Sequence, residues 1–81
     1  MAKVTIYTTP TCGFCHMEKV WLKDKKVDFT EKDITTDVDA YHEAIQKANQ
    51  PVVPITDIDG DIIIGFDRPK IESRLKEVGA L

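Results

Sequence analysis

Apolar and β-branched residues cluster in short runs along the chain, and the spacing changes from run to run. VTIYTT (4–9) is β-branched and aromatic and stops at Pro10, which predicts a strand. From Gly13 to Lys26 there is no proline and no further glycine. Met, Glu, Lys, Val, Trp and Leu dominate there, which predicts a helix. VDFTEKDI (27–34) alternates at Val27 and Phe29 and predicts a second strand. Thr36 or Asp37 is suited to cap a second helix, with Val38, Tyr41, Ile45 and Ala48 as its apolar stripe at i, i+3, i+7 and i+10. Pro51 and Pro54 interrupt any helix beyond it. Asp59-Gly60 then separates two β-rich runs, 55–58 and 61–64. A type I′ hairpin turn needs positive φ at both central residues, and this pair supplies them. Asp67 caps a last helix that tolerates Pro69 in its first turn and buries Ile71, Leu75 and Val78. The order β-α-β-α-β-β-α predicts an α/β fold with a mixed sheet of four strands and three helices. Its first β-α-β unit is expected to be parallel and right-handed.

Composition narrows the class without changing that order. The 81 residues are 42% apolar and 31% charged with net charge −3, which reads as one soluble globular domain over 1–81. A chain of this length buries roughly 60–65% of its unfolded surface, so the core has little room for an internal cavity. No lysine–arginine cluster appears, which argues against nucleic acid as a partner. The opening MAKVTIYTT has no long apolar run, so neither a secretory signal nor a membrane span is expected, and a cytoplasmic location follows. In a reducing compartment two cysteines point to catalysis or metal binding more than to a structural staple.

Both cysteines lie in TTPTCGFCHM (8–17). Four chemistries fit the bare spacing: a redox dithiol, half of a zinc site, an iron–sulfur ligand set, and, through Cys12-Gly13-Phe14-Cys15-His16, haem attachment. The position adds a constraint. Cys12 follows a strand and opens a helix, where unpaired N–H groups and the helix dipole favour a thiolate over a thiol. Cys15 lies one turn on and is expected to face the same way, close enough to attack a mixed disulfide held on Cys12.

YTTPTCGFC, Val52-Val53-Pro54 and Gly65-Phe66-Asp67, in this order and at this chain length, resemble the landmarks of the glutaredoxins. That resemblance implies the minimal thioredoxin fold and a dithiol–disulfide oxidoreductase. It implies Cys12 and Cys15 as the catalytic pair. Pro10, Phe14, Val53, Pro54, Gly65, Phe66 and Asp67 would surround the substrate, with a cis bond at Val53-Pro54 whose flanking backbone pairs with substrate in strand fashion. No cofactor is required for such a cycle. Glutathione or another low-molecular-weight thiol is the customary reductant, and a monomer acting on disulfide-bearing proteins is expected. Three positions depart from glutathione-using members. Thr9 stands where they carry Lys or Arg, Val52 where they carry Thr, and Arg68 where they carry Asp. The Gly-Phe…Arg-Pro segment is similar to redoxins that serve ribonucleotide reductase and are reduced by thioredoxin reductase. Thr8-Thr9 is similar to mycoredoxins, which use another small thiol.

The other readings of the dithiol meet specific obstacles. Haem attachment needs export and an axial ligand, and the strand content is wrong for a small c-type cytochrome. Structural zinc needs four ligands, and beyond the cysteines only His16 and His42 remain. An iron–sulfur carrier is the alternative function. Cys-Gly-Phe resembles the start of the C-G-F-S motif of monothiol glutaredoxins, which hold a [2Fe–2S] cluster between protomers, although Cys15 replaces the serine. Trp21, Tyr7 and Tyr41 read as packing residues, and Phe14 as an exposed apolar contact. Glu31-Lys32-Asp33 reads as solvated surface.

Overall fold

The computed structural model describes residues 3–50 and 52–81; Pro51 lies outside the described residues. Seven elements follow one another: β1 (Val4–Thr8), α1 (Gly13–Asp24), β2 (Thr30–Asp33), α2 (Val38–Ala48), β3 (Ile55–Ile58), β4 (Asp61–Ile64) and α3 (Arg68–Glu77). The sheet order is β2-β1-β3-β4. β1 is parallel to β2 and antiparallel to β3, and β3 is antiparallel to β4. This is the minimal thioredoxin fold.

Both faces of the sheet are covered, which is why β1 is buried at every position despite its threonines. Alternation sorts the side chains. Val4, Ile6, Ile58 and Ile63 meet Leu22 and Val27 from the α1 side and Ile71 and Leu75 from α3. Tyr7 and Ile55 point the other way, against Ala40, Ala44 and Ala48 of α2.

The α2 stripe therefore differs from the one its apolar residues suggest. Val38 and Tyr41 are exposed and Ile45 only half-buried, whereas Ala40, Ala44 and Ala48 are buried. The reason is volume. The fully buried Tyr7 ring fills the space over the sheet, and alanines at i, i+4 and i+8 let the helix axis approach it. Asp37, rather than Thr36, is the cap, its carboxylate accepting from the Ala40 N–H at 3.1 Å. α2 ends at Asn49, in the left-handed region at φ 60.

Smaller differences lie at other ends. α1 stops at Asp24, two residues early, because Lys26 takes φ 60 and its N–H closes on Lys23. β2 begins only at Thr30. Val27 is buried but pairs back to Leu22 through its N–H, so the expected strand over 27–34 shortens to four residues. Val78 is the half-buried C-cap of α3, still packed on the core. At the hairpin, Asp59 (φ 50) and Gly60 (φ 96) both take positive φ, as their sequence requires. The Asp57 carboxylate accepts from the Gly60 N–H, and the Asp59 carboxylate accepts from the Lys3 N–H, both at 2.7 Å.

Candidate active site

The loop leaving β1 is short and closed. The Cys12 N–H donates to the Thr9 carbonyl at 3.3 Å, turning the chain through the exposed Pro10 and Thr11. Cys12 is the N-cap of α1 in an extended conformation (φ −86, ψ 111), and the His16 N–H closes the first helical turn on its carbonyl. An N-cap side chain ordinarily offers oxygen to a free N–H; here sulfur does so, with Cys15 N–H to Cys12 Sγ at 3.1 Å. Gly13 and Phe14 arch outward, Phe14 being 63% exposed.

The two thiols differ sharply in environment. Cys12 is partly exposed, while Cys15 is 1% exposed, so Cys15 sits behind Cys12 rather than beside it at the surface. Burial, then a hydrogen bond to Cys12, push the Cys15 thiol up to about 12, with the Thr9 backbone pulling the other way. Cys15 is therefore held as a neutral thiol while Cys12 is open to solvent.

The neighbouring landmarks are brought to this end of the sheet. β1 and β3 pair as far as Tyr7↔Ile55, so the Val53-Pro54 segment immediately before β3 lies at the end of the sheet where β1 leaves toward Cys12. Val53-Pro54 is cis; Pro54 is buried and Val53 half-buried. The Gly65 N–H donates to the Pro54 carbonyl at 2.8 Å, tying the end of β4 to the same loop. Gly65 takes φ +80, which an L side chain rarely adopts. A Cβ there would meet nothing within 4 Å, so backbone conformation and not space selects glycine. Phe66 is half-buried, its ring edge-to-face with Trp21 at 6.1 Å. Asp67 is exposed and caps α3 through the Lys70 N–H at 3.3 Å. A groove of about 360 Å³ lined by Met17, Val20, Trp21, Asp24, Phe66 and Arg68 runs from there along the outer face of α1.

These features decide the family together with the sequence. The Glutaredoxin family model matches residues 4–63. The chain belongs to the glutaredoxin family. This glutaredoxin is 35% identical over 74 residues to a glutaredoxin-like 8.6 kDa protein of the rubredoxin operon in Clostridium pasteurianum, which covers 91% of this chain and 99% of that one. It is 39% identical over 67 residues to glutaredoxin 3 of Escherichia coli strain K12, covering 83% and 81% respectively. The thioredoxin-like protein BC3987 matches its fold with a TM-score of 0.85 at 30% identity, over 90% of this chain and 100% of the other. NrdH-redoxin of Escherichia coli, a glutaredoxin-like protein with a thioredoxin-like activity profile, matches with a TM-score of 0.76 at 27% identity, over 90% and 93%. Membership carries a glutaredoxin-like redox function, thiol–disulfide chemistry between disulfide substrates and reductants.

Two groups near this glutaredoxin's core escape a reading by composition. Glu18 is completely buried on α1, its stripe being Cys15, Glu18 and Leu22. The spacing i, i+3, i+7 from Cys15 was the available signal, once Cys15 itself is known to point inward. The Thr56 hydroxyl donates to Glu18 Oε2, and burial pushes the carboxyl up to about 7 against that bond. On the opposite face, Tyr7 is more than a packing residue. Its hydroxyl donates to Glu43 at 2.8 Å and accepts from Lys47 Nζ at 2.9 Å, and Lys47 also pairs with Asp57. The segment 31–33 is likewise tied down rather than loose, with Lys19–Glu31 at 2.7 Å and Lys32–Glu43 at 3.0 Å. The Lys19 ammonium holds the Glu31 carboxyl below its usual range. His16 and His42 are exposed, and no group of three or more His, Cys, Asp or Glu among the described residues could hold a metal. No helix is long and apolar enough to cross a membrane among the described residues.

Proposed function

We propose that this glutaredoxin is a dithiol–disulfide oxidoreductase in which Cys12 attacks and Cys15 resolves. The observation that carries the reading is the asymmetry of the pair: a partly exposed sulfur receiving the Cys15 N–H at a helix start, with a neutral, buried thiol behind it. Cys12 Sγ attacks a substrate disulfide and forms a mixed disulfide; one substrate sulfur leaves as thiolate. Cys15 then displaces the second substrate sulfur, closing Cys12–Cys15. Two electrons pass from the dithiol to the substrate, and no cofactor takes part. Substrate lies over Pro10 and Phe14, pairs with the backbone at Val53 before Pro54, and rests against Gly65, Phe66 and Asp67. The substrate is a disulfide-bearing protein, ribonucleotide reductase being the proposed one, and the protein works as a cytoplasmic monomer.

The electron donor on this reading is a thioredoxin-reductase-type flavoenzyme in preference to glutathione. Thr9 brings no cation to the dithiol, and Arg68 sets a positive charge immediately after the Asp67 cap. A lost charge-assisted hydrogen bond is worth roughly 1.5–3 kcal/mol, so one such loss weakens glutathione binding about tenfold to a hundredfold. The likeness to NrdH-redoxin supports the same preference.

Cys12→Ser and Cys15→Ser variants test the mechanism. Cys12→Ser abolishes exchange, while Cys15→Ser accumulates the mixed disulfide and stops reduction of protein disulfides. Full activity in Cys12→Ser would reverse the roles. Offering oxidised protein to glutathione and to thioredoxin reductase separately tests the donor. Turnover with glutathione and its reductase at the rate of glutaredoxin 3 would refute the preference, and the pair Thr9→Lys with Arg68→Asp is expected to strengthen glutathione coupling. A visible absorption band and dimerisation after anaerobic reconstitution with iron and sulfide would mark a cluster carrier instead.

A further inference from the structure

The outer face of α1 carries large apolar side chains where a surface helix ordinarily carries polar ones. Phe14 is 63% exposed, and Met17 and Val20 are each 53% exposed. Phe14, Met17, Trp21 and Asp24 fall at i, i+3, i+7 and i+10, so they share one stripe that starts between the two cysteines and runs down the helix. Packing of α1 on the sheet does not call for this stripe, because the buried residues of the helix, Cys15, Glu18 and Leu22, lie on a different face.

Beside the stripe is the groove of about 360 Å³ between α1 and the β4–α3 junction. Its floor is held in place: the Trp21 and Phe66 rings meet edge to face at 6.1 Å, and both pack against the core. Met17 and Val20 add an apolar wall. The other two lining groups are charges of opposite sign. Arg68 opens α3 at the dithiol end, directly after Asp67, and Asp24 closes α1 at the far end. Both are exposed, and neither forms an ion pair among the described residues. Aromatic, Met and Arg side chains are the types enriched where proteins meet.

We propose that this groove selects the protein substrate by receiving the segment that flanks its reacting cysteine, with a large apolar side chain against Trp21 and Phe66 and a carboxylate on Arg68. The proposal rests on the dithiol reading above and names the substrate class for it. Two features favour this occupant. The groove is continuous with the substrate contact at Phe14 and Phe66. Its volume lies near the lower end of ligand pockets, roughly 300–1,000 Å³, which admits the side chains of one extended segment and not the face of a folded domain. Helix rise sets the spacing. Trp21 lies nine residues beyond Cys12 on α1, or roughly 13 Å at about 1.5 Å per residue, a span that about four residues of extended chain cover. The charges set the order. Asp24 repels an acid at the far end, and Arg68 attracts one at the dithiol end, so the carboxylate lies between the cysteine and the apolar anchor. The groove makes and breaks no bond; it decides which disulfide is presented to Cys12.

Short synthetic peptides test this, each with one cysteine held as a mixed disulfide with nitrothiobenzoate, whose release is coloured. The reference peptide carries Asp two residues and Phe four residues from the cysteine. Two others replace Asp by Lys or Phe by Ala. Each is made with these residues before and after the cysteine, and the preference is expected in one of the two directions. At low salt the reduced full-length protein should react about tenfold faster with the reference than with either replacement. Raising the salt should shrink the Lys penalty and leave the Ala penalty in place. R68E should reverse the order of the Asp and Lys peptides. Equal wild-type rates across the series in both directions overturn the proposal and leave the dithiol reading standing, and this comparison needs no variant to fold. An R68E protein that keeps the wild-type order overturns it as well. A dimer in sedimentation that Val20→Asp breaks would put a second copy in the groove and also overturn it. No release from any peptide overturns the dithiol reading itself.

Discussion

The buried Glu18 carboxyl makes the stability of this glutaredoxin depend on pH in an unusual direction, and E18Q isolates the effect. In the folded protein the Glu18 carboxyl titrates at about 7, against 4.5 ordinarily, because burial penalises its charge more than the Thr56 bond supports it. The folded state therefore holds this proton more tightly than the unfolded chain. Below pH ~4.5 both states are protonated, and the carboxyl contributes no dependence on pH. Between there and about 7 the unfolded chain releases its proton first, so stability falls as pH rises; above 7 the loss is complete. At 1.36 kcal/mol per pH unit, the rise from 4.5 to about 7 amounts to about 3 kcal/mol, a large share of a small domain's total. Glu18 has no exposure, so screening by solvent does not reduce the figure. E18Q keeps the size and an oxygen for Thr56 but cannot ionise. Any cost it carries at the Oε1 position, which has no hydrogen-bond partner among the described residues, is the same at every pH. Urea unfolding of both proteins, reduced, across this range should show E18Q gaining about 3 kcal/mol on the wild type as pH rises. In thermal melts that corresponds to roughly 12–24 °C for a domain of this size. Carboxyls held low by partners, such as Glu31 beside Lys19, act in the opposite sense but are common to both proteins and cancel. A difference between the two proteins that stays flat with pH would refute the reasoning, since it would mean that Glu18 titrates in the folded protein as it does in the unfolded chain.

Other consequences of the packing are measurable by denaturant unfolding. Ala44→Leu should cost about 1–3 kcal/mol, because Ala44 lies buried over Tyr7 and Ile55 with no room for added carbons; a neutral result would mean that α2 stands off the sheet. Val38→Lys, one step outside that stripe and 70% exposed, should change stability by less than about 0.5 kcal/mol. Asp37→Ala removes the acceptor for the Ala40 N–H and should cost about 1 kcal/mol, which Asp37→Asn should largely restore. Gly65→Ala should cost roughly 1–2 kcal/mol from backbone conformation at φ +80, with no contribution from crowding. If Gly65→Ala proves harmless, the β4–α3 junction takes another conformation in solution.

Read from the sequence alone, the features settled within three or four residues came through. Asp59-Gly60 set the hairpin because positive φ is a property of those two residues, and both strands fell at 55–58 and 61–64. Asp67 capped α3, with Pro69 accommodated in its first turn. Cys12 stood at a helix start because a strand, a proline and a helix-forming stretch follow one another in the chain. The element order and the mixed sheet needed nothing more than these local choices and the handedness of β-α-β units.

What the tertiary structure decided was which of several equivalent faces turned inward, and what a side chain met there. The α2 sequence offers two stripes at helical spacing. The choice of Ala40, Ala44 and Ala48 over Val38 and Tyr41 was made by Tyr7, which lies on β1, more than thirty residues earlier in the chain. Glu18 is one of several glutamates when read in order. It becomes a buried acid because α1 lays its Cys15–Leu22 stripe on the sheet and Thr56, 38 residues away, supplies its single hydrogen bond. The unequal exposure of Cys12 and Cys15 has the same origin: the motif spacing makes them neighbours, and the sheet beneath α1 buries one of them. Local conformation depends on backbone chemistry that each short segment carries with it. Burial, and the proton affinities that burial changes, depend on surfaces contributed by segments that meet only when the chain has folded.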